Sequence, residues 1–199
     1  ERISNKAAGP KRAGKKTSAW WSDFWSRSWI FVQGDKSVAS VIPSNNHPLS
    51  LGADSRGGSV FRGKIGRATV YRRGLRDEEV SLLASGAPDS EAVVKDGQLH
   101  AIRFDKQPAE VKLVGKLSVE QGKGVGIFEG GHVEVAKVEE LKDSMTLEAW
   151  ICPARDMGSA RIFDKVTPGG SDGFLFDTHP GRALRFIVGA TAITTSNNI

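Results

Sequence analysis

Short runs of apolar residues, many of them β-branched or aromatic, dominate the chain after Ile30. Gly, Asn, Asp or Pro turns separate these runs at spacings of about ten residues. Strands do not alternate with long helical patterns, so the pattern argues against a parallel sheet. It predicts about a dozen strands and an all-β, antiparallel β-sandwich. The predicted strands are IFVQ, SVASVI, PLSLGA, VFRGKIGRATVYR, LHAIRF, EVKLV, HVEVA, MTLEAWI, ARIFDK, GFLFDT, LRFIVG and TAITT.

The run MTLEAWI is largely apolar on both of its faces. Alternation along a strand places its side chains in two sets that point to opposite faces of the sheet. We expect such a strand inside a sandwich whose second face is covered by loops or another domain, with Cys152 as a small buried residue. One set is Met145, Leu147, Ala149 and Ile151, and the other is Thr146, Glu148, Trp150 and Cys152.

Two short helices are predicted among the strands. The first is predicted over residues 18–30, where Ser18 can serve as the N-cap and the aromatic residues fall on one face of the helix. We expect this aromatic face to pack against the hydrophobic core. Stacking of tryptophan rings on sugars is the alternative. Residues 77–84 have acids in the first turn, an apolar face and Gly86 just beyond, which predicts the second helix. The aromatic residues of the first helix are Trp20, Trp21, Phe24, Trp25 and Trp29.

Charge is concentrated at the start of the chain. The net charge is +5, and residues 1–30 account for it with seven basic residues against two acids. Residues 1–17 show no apolar periodicity, which is typical of a linker or an extended arm. Neither an RNP-like nor a zinc-finger pattern accompanies the basic residues, so we expect no nucleic-acid partner.

Composition excludes several kinds of site. The single cysteine, Cys152, excludes an internal disulfide framework, and four scattered histidines offer no zinc-ligand spacing. No run approaches the roughly 20 apolar residues of a membrane span. Residues 1–16 also lack the apolar core of a signal peptide. We therefore expect no structural zinc and no membrane partner.

Five motifs follow one another in residues 118–199: GHVEV at 131–135, SMTLEAWICP at 144–153, RIFDK at 161–165, GFLFD at 173–177 and LRFIV at 184–188. Together they resemble the first half of a laminin-G-like, concanavalin A-like jelly roll. Three earlier motifs resemble the second half of that fold, and Asp77, Glu78 and Glu79 after them resemble the start of its short terminal helix. The three motifs are IFVQGDKSVAS at 30–40, PLSLGAD at 48–54 and FRGKIGRATVYRRGL at 61–75.

The second half therefore precedes the first. Either the chain starts inside one sandwich and stops inside another, or the halves close on each other as one permuted or swapped sandwich. Half a sandwich exposes an apolar face and unpaired strand edges, so we expect the single sandwich. The family's central segment would follow Ile199, and we expect the chain to be a piece of a longer protein. The expected divisions are 1–17 basic linker or arm, 18–30 aromatic helix, 31–86 second-half strands, 87–117 connecting strands and 118–199 first-half strands.

A further motif, WWSDFWSRSWI at 20–30, resembles a segment of α-L-fucosidase-like glycoside hydrolases and related bacterial polysaccharide-degrading proteins. The two resemblances together imply a secreted or periplasmic, glycan-binding accessory module that is not catalytic by itself and partners other domains of its chain. Its candidate sugar-stacking residues are Trp20, Trp21 and Trp25. The alternative is a fragment of a fucosidase-like hydrolase or polysaccharide lyase whose catalytic residues lie elsewhere. A purely structural role in packing domains is a third.

Acidic residues offer little catalytic chemistry in this segment. Glucanases of the concanavalin A-like fold carry a Glu-x-Asp-x-x-Glu run, which is missing here, and Glu148 is the one acid of its strand. The resemblance does imply calcium, because such sandwiches hold it at a loop edge through clustered oxygens. The candidate ligands are Asp164, Asp172 and Asp177. The alternative is an ordinary hairpin loop in which Asp172 bonds its own backbone.

Overall fold

The computed structural model describes fourteen strands and two helices. For β1 (Arg2–Ala7) and β2 (Ile30–Ser37) it describes the backbone. The described residues are 2–7, 30–37, 42–87, 90–105, 111–120, 122–136, 138, 141, 144–154, 158–180 and 183–195. Within them, neither helix has the length and apolar character needed to cross a bilayer.

The first sheet has seven antiparallel strands in the order β1-β2-β10-β4-β8-β7, and β5 pairs with the second half of β4. The long strands β10 and β4 are its centre. Besides β1 and β2, its strands are β4 (Arg62–Tyr71), β5 (Gln98–Ile102), β7 (Leu117–Glu120), β8 (Val125–Glu129) and β10 (Ser144–Pro153).

The second sheet is also seven-stranded and antiparallel, in the order β14-β13-β12-β11-β3-β9-β6. Its strands are β3 (Leu49–Leu51), β6 (Val111–Val114), β9 (His132–Val135), β11 (Ala160–Lys165), β12 (Phe174–His179), β13 (Ala183–Val188) and β14 (Thr191–Thr194).

The inner faces of the two sheets enclose one apolar core. Alternating residues of strands from both sheets meet there, as the period of two requires. Phe128 packs edge-on against Phe61 and Phe104 at centroid distances of 6.1 and 5.8 Å. The inward residues of β10 are Met145, Leu147, Ala149 and Ile151, as their alternation predicted. The all-β antiparallel sandwich is thereby confirmed.

The two helices lie on the outer face of the first sheet. Helix α1 (Asp77–Ala84) buries Val80 and Leu83 against Tyr71 and Trp150. The short helix α2 (Ser90–Val93) follows it. The prediction that both faces of β10 are covered is confirmed, and the cover is this helical segment of the same chain.

Strands from distant parts of the chain alternate in both sheets. β10 pairs with β2 on one side and β4 on the other, and Ala149 lies opposite both Val32 and Ala68. β3 likewise lies between β11 and β9. Residues 30–71 and 111–188 thus contribute neighbouring strands to the same two sheets.

A β-bulge in β4 sets the direction of its charged side chain. Gly66 and Arg67 together oppose Trp150, so Ile65 and Ala68 both point into the core. The bulge directs Arg67 to the outer face. Near the start of the strand, Gly63 has a φ of 134°, and a Cβ there would meet the main chain of Cys152 and Ala154. Only glycine permits this close approach of β4 to the end of β10.

Most predicted elements are present, with a few differences. Helix α1 spans the predicted residues, and Gly86 after it has a φ of 66°. The twelve predicted strands did not include β1, which lies within the expected linker, nor β7 and β8, and α2 was not predicted either. The predicted aromatic helix lies outside the described residues except for Ile30, which begins β2. Most of SVASVI also lies outside them.

Candidate functional site

The outer face of the first sheet is occupied by an ion-pair network as well as by helices. Arg67 Nε and Nη2 donate to the two carboxylate oxygens of Glu148 at 3.0 and 3.1 Å. Arg67 Nη1 also pairs with Glu91 of α2 at 2.8 Å. Burial by itself lowers the pKa of Arg67, but Glu148 and Glu91 outweigh it and raise the pKa above its usual value. Glu148 is fully buried and held by this pair, so this network is structural.

The outer face of the second sheet carries a different set of side chains. Register aligns Glu134 of β9, Ser50 of β3 and Asp164 of β11 in one row across the strands. In the neighbouring row, Asp177 of β12 pairs with Arg185 of β13. Both described helices pack on the first sheet, so no described helix lies over these rows. We call the following outward residues the polar face: Lys112, His132, Glu134, Arg161, Asp164, Asp177 and Arg185.

Two arginines converge on buried carboxylates at the centre of the polar face. Arg161 Nε donates to Asp164 Oδ2 at 2.9 Å, and its Nη1 donates to Asp177 Oδ2. From the next strand, Arg185 Nε and Nη2 donate to Oδ1 and Oδ2 of the same Asp177 at 3.1 and 2.7 Å. The side chains of Asp164 and Asp177 are fully buried, while those of Arg161 and Arg185 stay 13% and 23% exposed. The carboxylates therefore fix the guanidinium groups of two partly exposed arginine side chains in place.

Burial and neighbouring charges shift the pKa values of these groups in opposite directions. Burial raises the pKa of Asp164 from 3.8 to about 6, and the nearby Asp54 adds to the rise while Arg161 opposes it. Hydrogen bonds to Asp177 raise the pKa of Arg185. Asp164 therefore keeps its proton to a higher pH than an exposed aspartate does.

The other end of the polar face lies on β9 and β6. Lys112 Nζ and His132 Nε2 lie 3.3 and 3.2 Å from the two carboxylate oxygens of Glu134. Burial acts to raise the pKa of Glu134, but the bonds from His132 and Lys112 prevail and hold that pKa below its usual value. The Glu134 side chain is 29% exposed, so it can reach a ligand as an ionised acceptor.

The three predicted calcium ligands do not share one set of oxygens. Asp164 and Asp177 are joined through Arg161, whereas the Asp172 carboxylate accepts bonds from Thr167 N and Oγ1 at 2.9 and 2.6 Å. These bonds agree with the alternative interpretation, in which Asp172 belongs to an ordinary hairpin loop. Across the described residues, no group of three or more His, Cys, Asp or Glu is arranged to hold a metal ion. The arginine-paired oxygens do not fit calcium, and calcium binding stays a prediction.

The loops near Asp172 instead bind the ammonium group of Lys165. Lys165 Nζ donates to the carbonyl oxygens of Asn45 and His47 at 2.9 and 2.6 Å. Asn45 Nδ2 returns bonds to the carbonyls of Lys165 and Asp172. Burial lowers the pKa of Lys165, and Asp172 opposes this. This cluster ties the loop before β3 to the turn between β11 and β12.

The predicted sugar-stacking residues Trp20, Trp21 and Trp25 lie outside the described residues, and their role stays a prediction. Trp150 is buried beneath the helices and cannot stack on a ligand. Cys152 was expected to be buried but is half-buried, at the edge of the same cluster.

Sequence reasoning did not single out Arg161, Arg185 or Glu134. Alternation places each on the outward side of its strand, so the signal was present in part. Their convergence depends on the pairing of β9, β3, β11, β12 and β13, which local patterns do not specify.

No protein-family model, curated protein or solved structure matches the chain. The resemblance to laminin-G-like domains therefore depends on the strand motifs.

Proposed function

We propose that the chain is a laminin-G-like (concanavalin A-like) jelly-roll accessory module of a bacterial polysaccharide-degrading protein. It binds a glycan, is not catalytic by itself and acts beside other domains of its chain in a secreted or periplasmic setting. The observation that carries the proposal is the polar face. It offers fixed hydrogen-bond donors and acceptors on the outer side of the second sheet, which suits a ligand rich in hydroxyl groups.

The geometry of the polar face supports binding rather than hydrolysis. Asp164 and Asp177 are fully buried and occupied by guanidinium groups, so neither is available as a general acid or nucleophile. Arg161, Arg185 and Glu134 keep part of their surface exposed and hold fixed directions. Preorganised polar groups of this kind lower the cost of ordering side chains when a ligand binds.

The proposal is tested by screening the full chain on a glycan array. We expect retention on a subset of glycans and release by the free form of the same oligosaccharide. A chain that is retained by no glycan would contradict the proposal. The predicted stacking role is tested on the positive glycan with Trp20→Ala, Trp21→Ala and Trp25→Ala, each of which is expected to weaken binding. A Val93→Ala change, at an exposed position on the helical cover of the first sheet, is the control and is expected to leave binding unchanged.

A further inference from the structure

The charges of the polar face are internally matched. Lys112 pairs with Glu134 at 3.3 Å, Arg161 with Asp164 at 2.9 Å and Arg185 with Asp177 at 2.7 Å. The outward positions of the described strands of the second sheet therefore carry three cations and three carboxylates. The cations are thus balanced by neighbouring carboxylates, of which Glu134 is partly exposed and Asp164 and Asp177 are fully buried.

Matched charges disfavour an acidic ligand. A uronate or sulfate group gains little net attraction from Arg161 or Arg185, because a buried carboxylate beside each arginine already neutralises its charge. A hydroxyl group does not depend on such attraction. Arg185 spends two of its five N–H donors on Asp177. One hydroxyl of a glycan can accept from a remaining N–H of Arg185, and a different hydroxyl can donate to a lone pair of Glu134.

The extent of the polar face also limits the ligand. Glu134 and Arg185 lie on β9 and β13, which are four strand spacings apart in the sheet order. At about 4.8 Å per spacing, the two side chains are about 19 Å apart across the sheet. A single sugar ring cannot contact both, whereas a chain of several sugars can.

We infer that the ligand of the polar face is an uncharged polysaccharide lying across the strands from β9 to β13, with Glu134 and Arg185 bonding its hydroxyl groups. This inference rests on the proposed function, because it specifies the glycan that the module binds. It also assigns the contact to the sheet surface.

The test is affinity electrophoresis of the full chain through gels that contain one polysaccharide each. Xyloglucan and mixed-linkage β-glucan are the uncharged probes, and polygalacturonate and alginate are the acidic ones. We expect retardation by an uncharged probe and none by the acidic probes. Raising NaCl from about 0.05 to about 0.3 M shortens the Debye length, and we expect it to leave the retardation unchanged.

Two variants assign the contact to the polar face. Arg185→Gln is expected to weaken binding about tenfold, as the loss of one charge-assisted hydrogen bond predicts. Glu134→Gln, at a more exposed position, is expected to weaken binding by a similar factor. It replaces Arg185→Gln in the test if that variant does not fold. Lys64→Gln is the matched control, since Lys64 is also ion-paired, to Glu120 at 3.0 Å, but lies on the first sheet.

The outcomes separate the inference from the proposed function. Retardation by polygalacturonate or alginate that fades with salt would overturn the inference and leave glycan binding in place. Unchanged binding in both Arg185→Gln and Glu134→Gln would also overturn it. Migration unaffected by every polysaccharide of both sets would refute the proposed function itself.

Discussion

Asp164 is a carboxyl group that the fold removes from water. Its side chain is fully buried, one guanidinium faces it from Arg161, and Asp54 adds a like charge nearby. The desolvation of the ionised form outweighs the attraction of Arg161, so the folded protein holds the proton more tightly than the unfolded chain. The group therefore opposes folding at neutral pH.

We predict that Asp164→Asn changes how stability depends on pH. With the pKa of Asp164 raised from 3.8 to about 6, its contribution to the free energy of unfolding is largest below pH 4, falls between pH 4 and 6, and is constant above. Relative to Asp164→Asn, the parent should lose up to about 3 kcal/mol across this interval, at about 1.4 kcal/mol per pKa unit.

Urea unfolding of both proteins at several pH values measures the effect. The exposed Glu78→Gln serves as control and should leave the pH profile unchanged. A difference between parent and Asp164→Asn that stays constant from pH 4 to 7 would show that Asp164 is not buried as described.

At the scale of elements, the helical cover of the first sheet is attached through charge as well as apolar contact. Arg67 leaves β4 at the bulge, binds Glu148 of β10 with two bonds and reaches Glu91 of α2. One side chain thus connects two central strands to the segment that covers them. The bulge and the network depend on each other, because regular alternation would turn Arg67 into the core.

We predict that Glu148→Gln lowers the free energy of unfolding by about 3 kcal/mol, because Arg67 keeps its buried charge without the carboxylate. The matched variant Glu120→Gln breaks two exposed pairs of the same sheet, with Lys64 and with Lys123, and the Glu120 side chain is 27% exposed. It should cost less than about 1 kcal/mol. Chemical denaturation measures both, and equal losses would contradict a buried structural network.

The elements were more predictable than the site. The faces of β10 and the extent of α1 follow from local period and local capping residues, which the sequence displays directly. Strand β7 was missed because only Leu117 and Val119 mark its alternation. Arg161 and Asp177 come together through the register of two strands, and register is set by the whole sheet.

For the whole molecule, the mixing of strands from residues 30–71 and 111–188 has a direct consequence. Fragments cut within 106–110 each contain strands whose partners lie in the other fragment. We predict that residues 1–105 and 111–199 are unfolded when separate and form the sandwich when mixed. Amide proton NMR spectra of each fragment and of the mixture test this. Dispersed spectra from either fragment alone would instead indicate that each half has its own core.

The position of β10 in the chain also determines when β2 and β4 can pair during translation. β2 and β4 are translated before their shared partner β10, which follows β2 by more than 100 residues. At a translation rate of about 5–20 residues per second, the edge of β2 stays without that partner for roughly 5–20 s. During that interval the nascent chain exposes unpaired strand edges and apolar side chains, which can associate with other chains. The yield of folded protein in a cell should therefore depend on chaperones that hold unfolded chains and on the speed of translation.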